Sequence, residues 1–334
     1  MIRKMRLALI MIGLLCAAVC VQGASMTAPA GYGCFDTAFS MPAGASFGGF
    51  DILPNGNFAI HDGYSLREID KSGTDIRTLY SYSGFVYGSF VKYNSADGRI
   101  YFGDSSSASS RILSVALDGT GAGLLTTLKW NYDLDFQNGV PYVAASDSIY
   151  RVDSATGDAV QIAQPGIVSG PLAFDAAGSL YYGTGEWGWP PASNGQNILR
   201  WTAAEVAAAD GENMLAVDSA HTYAADVDGP SNFAFRNGVL FYSDAIANPG
   251  EVRFTDGVNH SVFSQCVNVG YDPTTIHYDA ATDSTYVAVT WFDEFYNKHA
   301  VITTIAVPEP SSIVALCSFV GLAASPRLLR RRGR

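Results

Sequence analysis

Six segments of this chain repeat one pattern, and that repetition constrains its fold more than any other feature. They are "FDILPNGNFAIHD" (50–62), "FVKYNSADGRIYFGD" (90–104), "DLDFQNGVPYVAASD" (133–147), "PLAFDAAGSLYYGTGE" (171–186), "NFAFRNGVLFYSD" (232–244) and "TIHYDAATDSTYVAVTWFD" (275–293). Each is an alternating apolar run, a turn, and a second run rich in Tyr, Phe, Val and Ile. Asn55-Gly56, Asp97-Gly98, Asn138-Gly139 and Asn237-Gly238 predict hairpins, because type I′ turns need residues that tolerate positive φ. Gly178 serves the fourth repeat, and Asp283-Ser284 the sixth. A third strand follows most hairpins ("SLREIDKSG", "RILSVALDGTG", "SIYRVDSATG", "EVRFTDG"), then a fourth ("DIRTLYSY", "GLLTTLK", "AVQIAQ", "HSVFSQCV"). Four antiparallel strands recurring every ~40–60 residues predict an all-β, six-bladed β-propeller. A sandwich would not repeat one four-stranded unit with a matching turn.

A propeller must close its ring. The sixth repeat offers "TIHYD", "TYVAVTW" and "AVITTIAV" but no fourth strand, whereas "GCFDTAFSMPAG" (33–44) ahead of the first repeat reads like the other outermost strands. The expectation is that this N-terminal strand completes blade six, since an uncapped edge is a pairing hazard. Cys34 would then lie on the outer strand of blade six and Cys266 on that of blade five. They are a candidate disulfide if their Cα atoms approach within ~7 Å. The second repeat, "GRIYFGDSSSASSRILSVALDGTG", resembles the YWTD and NHL families of six-bladed propellers, whose repeats run Ile-Tyr-x-x-Asp and then Ile-x-x-x-x-Leu-Asp-Gly. The match is good for repeat two, partial for three and five, and poor for six.

The two ends read differently from this body. Residues 1–24 place Arg3, Lys4 and Arg6 before an apolar run from Leu7 to Val21 and small residues at Gly23 and Ala24. That is the order of a secretory signal peptide. Residues 307–334 begin with Val307, Pro308, Glu309 and Pro310, continue through an apolar stretch from Ile313 to Ala324, and end in five arginines. The apolar stretch is shorter than the ~20 residues that span a bilayer comfortably, and the arginines after it would stay cytoplasmic. Signal and anchor helices are therefore expected at the two termini, with 25–306 as the propeller between them. The tail resembles the PEP-CTERM sorting signal of exopolysaccharide-producing Gram-negative bacteria. That resemblance implies an exosortase-type membrane protease as partner, transient membrane contact, and delivery to the envelope or extracellular matrix.

Charge narrows the partners. The whole chain holds 20 Lys+Arg and 31 Asp+Glu, but the ends carry eight of the bases and one acid, which leaves 12 against 30. A body so acidic excludes nucleic acid and anionic lipid as partners and suits cations, neutral glycans or basic surfaces.

Candidate site residues follow from the repeats. The second strand usually closes on a carboxylate: Asp62, Asp104, Asp147, Glu186, Asp244 and Asp293. Such residues commonly bond loop amides, but six at one blade position would ring one face and make calcium a candidate cofactor. Asp133-x-Asp135 and Asp226-x-Asp228 are further oxygen-rich pairs. The long stretch "GEWGWPPASNGQ" (185–196) sets Trp187 and Trp189 beside two prolines, and exposed aromatics on a rigid scaffold often bind. Next, "WTAAEVAAADG" reads as a short helix with Thr202 as cap, Glu205 three residues on, and Gly211 as stop.

Enzyme signatures are scarce: no Gly-x-Ser-x-Gly, His-Glu-x-x-His or phosphate loop is present, and the five histidines are scattered. Lactonases on six-bladed propellers hold a central metal with acidic and amide groups, which Glu186, Asp133, Asn232 and Asp293 would supply only if all faced the axis. The sequence thus points to an exported matrix propeller binding exopolysaccharide or another matrix component. The alternatives are a metal-dependent hydrolase and a scaffold for other exported proteins.

Overall fold

The computed structural model describes residues 24–106, 110–166, 168, 170–184, 196–244 and 246–307. The expected signal segment, Glu186, Trp187, Trp189 and the tail from Pro308 onward lie outside these residues, and among the described residues no helix is long and apolar enough to cross a membrane.

The chain is a six-bladed β-propeller of four-stranded antiparallel blades. The inner strands are Gly49–Ile52, Gly88–Asn94, Asn131–Gln137, Leu172–Phe174, Pro230–Arg236 and Asp272–Asp279, in blades one to six. Burial follows position in the blade. Second strands are covered on both faces by neighbouring blades, so Phe58–His61 and Leu180–Gly183 are buried at every residue. Such strands need apolar side chains throughout rather than at alternate positions. The outer strand Asp75–Ser81 faces water along most of its length and carries Asp75, Arg77 and Thr78.

The apolar clusters lie between blades. Tyr142, Ile149 and Ile162 of blade three meet Leu172, Leu180 and Trp201 of blade four. Phe50, Phe58 and Ile60 of blade one meet Tyr286, Ala288 and Ile302 of blade six. Each buried large apolar side chain contributes roughly 1.5–3 kcal/mol, so stability is tied to the completeness of the ring.

The hairpins divide into two kinds. At Asn138-Gly139 and Asn237-Gly238 both residues have positive φ (52° and 79°, 50° and 80°), as type I′ requires. At Asn55-Gly56 and Asp97-Gly98 only the glycine does. Gly56 N–H bonds the Leu53 carbonyl and Gly98 N–H the Asn94 carbonyl, so these are longer loops ending on a left-handed glycine. Asp283 takes the left-handed position in the sixth repeat without glycine (φ 47°). The helix is short, Ala203–Ala208, with the Thr202/Glu205 capping box formed. Its Val206 packs beneath blade four with Leu215 and Trp201.

Closure is as the repeats imply. Gly33–Ala38 pairs antiparallel with Lys298–Ala306, from Gly33 opposite Ala306 to Ala38 opposite Val301. A second contact was not foreseen. Met26 bridges Cys266, Thr27 N–H bonds the Gln265 carbonyl (2.8 Å), and Val267 N–H bonds the Ser25 carbonyl (3.0 Å). The Asp36 carboxylate ties the two contacts together, accepting from Ser25 N–H and Oγ (2.8 Å each) and from Thr303 Oγ1 (2.7 Å). Six blades and both closures lie within residues 24–307.

Cys34 and Cys266 are both buried in the cluster joining blades five and six. The backbone neighbour of Cys266 is Met26, while Cys34 sits opposite Ile305. Burial pushes the Cys266 thiol up to about 12, which leaves it protonated and inert.

His61 at the junction of blades one and two gives a pH signature. It is fully buried, bonded to the Tyr82 hydroxyl (3.0 Å) and the Gly63 N–H (3.2 Å), and its burial lowers its pKa to about 4. The unfolded chain takes up this proton near pH 6.5, whereas the folded chain resists until about pH 4. Stability from neutral His61 is therefore whole above pH 6.5 and is lost as pH falls through that window, by about 3 kcal/mol at most. Denaturant unfolding of His61→Gln across this range should show a shallower pH slope than the parent; an unchanged slope would refute the assignment.

Candidate functional site

The inner strands start on one face of the ring, and there the axis opens into a cavity of about 1200 Å³. Ser46 to Gly49 of blade one, Tyr87 to Lys92 of blade two, and Trp130 to Asp133 of blade three form half of its wall. Ser231 and Asn232 of blade five and Asp272, Thr275, Trp291, Phe292 and Lys298 of blade six form much of the rest. Gly88 is needed at this lip because a Cβ there would collide with the His61 ring.

Below the mouth the axis is polar and closed. Asp51 accepts from its neighbour Ile52 N–H and from Tyr93 N–H of blade two (2.6 Å each). Asp133 does the same with Leu134 and with Leu172 of blade four (2.9 and 3.1 Å), and Asp135 with Phe136 and Phe174 (2.8 Å each). Asn232 accepts from Ile276 N–H of blade six (2.8 Å), and His277 Nε2 donates to the Phe50 carbonyl of blade one (2.7 Å). Tyr132 crosses from blade three to donate to the Ser231 carbonyl of blade five (2.9 Å), forming a floor.

Lys92 stands at the centre of this network, 3.6 Å from Asp133 Oδ1. Burial pulls its pKa down, but Asp133, Asp135 and Asp51 outweigh burial and leave the ammonium above its ordinary value. Burial pushes Asp133 and Asp135 up, and Lys92 only partly offsets it. On the blade-six wall, burial likewise raises Asp272 and lowers Lys298.

The mouth is aromatic. Trp130, Tyr87 and Phe292 line it while remaining 56%, 59% and 62% exposed. Trp130 has φ +52°, a left-handed conformation that costs an L-residue roughly 1–2 kcal/mol. The conformation is held by Ser146, whose N–H bonds the Trp130 carbonyl (3.3 Å) and whose Oγ bonds that of Lys129 (3.0 Å). Strain of this kind persists where surrounding structure over-determines it, and it gathers at functional sites. Trp291 stands beneath the rim, stacked between Tyr271 (4.6 Å, 10°) and His299 (5.4 Å, 16°).

The five described members of the acidic ring are each bonded to partners within their own blade. Asp62 caps Tyr64 and Ser65 N–H and pairs with Arg67 (2.8 Å). Asp104 caps Ser106 and pairs with Arg111 (3.1 Å); Asp244 caps Ile246 and Ala247 and pairs with Arg253 (3.1 Å). Asp293 caps Phe295 and Asn297 and accepts from His299 (3.0 Å). Asp147, held low by Gln164 and Ser148, is the member that lines the funnel. These carboxylates close the turn into the third strand, and that strand's own cation neutralises three of them.

A lactonase-type metal set is not assembled either. Asp133 and Asn232 do line the funnel, but their oxygens are bonded to backbone N–H groups, Asp293 sits in its own turn, and Glu186 is outside the described residues. Among the described residues no group of three His, Cys, Asp or Glu side chains is placed to hold a metal. Asp226 is exposed in the outer strand Thr222–Val227 of blade four, with φ 54°.

Sequence reasoning missed Trp130, Tyr87 and Lys92. The usable signal was position: Tyr87 and Trp130, each just ahead of an inner strand, line the axial cavity.

No family model and no curated protein matches the chain. Solved structures do match at the level of fold. One is a nidogen–laminin complex (14% identity, TM-score 0.52, covering 71% of this chain and 88% of that one). Another is the PQQ-bound aldose sugar dehydrogenase of Streptomyces coelicolor (10%, 0.56, 84% and 100%), and a third a gluconolactonase of Xanthomonas campestris (17%, 0.55, 86% and 99%). At these identities the likeness shows the propeller fold alone.

Lys92→Ala should strip the ammonium from beside Asp133, Asp135 and Asp51. The expected loss is about 3–5 kcal/mol, the cost of breaking a buried ion pair from one side. Denaturant titration at neutral pH measures it; a loss under ~1 kcal/mol would mean that the backbone N–H groups suffice.

Proposed function

We propose that this protein is an exported, non-catalytic propeller that binds a matrix glycan in its axial funnel. The observation that carries the reading is the rim. Indole and phenyl rings, one of them on a strained backbone, surround a largely apolar cavity that holds a few polar groups, on a rigid scaffold. Flat rings suit the apolar faces of sugars, and Asn232, Thr275 and Lys92 below them offer hydrogen bonds to hydroxyls. Trp187 and Trp189 remain candidates for a further contact.

Export is part of the proposal. The signal-like residues 1–24 would carry the chain across the membrane, and the tail at Val307-Pro308-Glu309-Pro310 would be read by an exosortase-type protease. Neither end is needed to complete the ring, which supports their removal. Protein recovered from the host's envelope should begin at or near Ala24 by N-terminal sequencing and lack the terminal arginines by mass. Recovery of a chain with both ends intact would overturn this part.

The binding claim is tested with residues 24–307 and exopolysaccharide from a PEP-CTERM-producing bacterium. The parent should bind saturably, and Trp130→Ala should lose roughly tenfold in affinity, about 1.4 kcal/mol, with no change in melting temperature. Binding unaffected by that substitution would remove the rim from the site. The rival reading, a hydrolase on the same axis, is favoured by the juxtaposition of Asp133 and Asn232; turnover of a sugar lactone by the parent would establish it instead.

A further inference from the structure

The funnel's aromatic lining does not stop at its mouth. Phe292 leads into the turn of blade six, where Phe295 and Tyr296 are 74% and 87% exposed. They are not exposed because the turn is loose. Asp293 accepts from the N–H groups of Phe295 (2.9 Å) and Asn297 (2.8 Å), and from His299. The Asp293 N–H donates to the Asn297 carbonyl (3.0 Å), and Tyr296 is fixed at φ +62°. Its polar groups are satisfied, yet its two rings join none of the apolar clusters among the described residues. Scattered exposed apolar side chains are ordinary, but adjacent exposed rings on a bonded turn that directly follows the cavity-lining Phe292 are not.

A second run of rings leaves the mouth on the other side of blade one. Tyr87 packs edge-to-face on Phe85 (5.0 Å), and Phe85 on Tyr64 (5.4 Å). The inner strand of blade one touches those of blades two and six, so these two aromatic flanks border one lip. That lip carries Gly48 and Gly49 beside Ser46 and Phe47; both glycines are buried, and Gly48 packs on the Gly88 backbone of blade two. The cavity, at about 1200 Å³, also exceeds the ~300–1,000 Å³ usual for a small-molecule site.

We infer that the ligand is one stretch of a longer glycan chain, which leaves the funnel over the glycine lip of blade one between Phe292, Phe295 and Tyr296 on one side and Tyr87 and Phe85 on the other. This rests on the funnel reading and extends it from a site for a sugar to a track for a polymer. Oligosaccharides cut from the same exopolysaccharide, from disaccharide to decasaccharide, provide the probe. Affinity of the parent for them should rise by roughly tenfold or more with length. Phe295→Ala/Tyr296→Ala should abolish most of that gain and leave disaccharide binding unchanged, while Trp130→Ala weakens every length. Both replaced rings are solvent-exposed, so the double variant should melt with the parent. Length-independent binding by the parent, or a double variant equal to it on the longest oligomer, overturns the track and leaves the funnel standing. Failure of the parent to bind any length brings down the funnel reading itself.

Discussion

The structure depends on a bond made at its axis: a buried carboxylate reaching from one blade to a backbone N–H of the next. Asp51, Asp133 and Asp135 each accept once from their own strand and once from a neighbour, and Asn232 repeats the reach to blade six. Buried carboxylates are costly unless hydrogen-bonded and compensated. Here each holds two amide donors, and Lys92 supplies positive charge among them. The result is a set of inner strands fixed relative to one another by directional bonds as well as by packing. A funnel built on such a base keeps its shape when empty, which lowers the ordering cost of binding.

Much of the fold was legible because its signals are local and repeated. The apolar alternation, the glycine at five of the six hairpin turns, and the missing fourth strand in the last repeat all follow from period-two geometry and ring closure. The turn types were less so, since Asn55-Gly56 and Asn138-Gly139 look alike in sequence yet differ in loop length. The second closure through Met26 gave no pattern at all, being one bridge and a few bonds.

The site was harder to read, for a physical reason. A strand-terminal aspartate looks the same whether it will hold a cation or cap a turn, and the difference lay in an arginine several residues later: Arg67, Arg111 or Arg253. Asp133-x-Asp135 reads only as an oxygen-rich pair, yet it sits inside an inner strand, where alternate residues share a face. Trp130 lies outside every repeat, so periodicity could not mark it.

The closing strand has a consequence for how the molecule is made. The bond from Thr303 to Asp36 spans 267 positions, and the strand that completes the last blade is synthesised before the first blade. Until Lys298–Ala306 appears, Gly33–Ala38 has no sheet to join, and the growing array presents an open edge. Closing so long a loop carries an entropic cost that grows only slowly with length, but contacts so distant in sequence delay completion. The ring is thus assembled in sequence but locked last at its oldest strand, so a chain interrupted before blade six would hold folded blades with no means of sealing them.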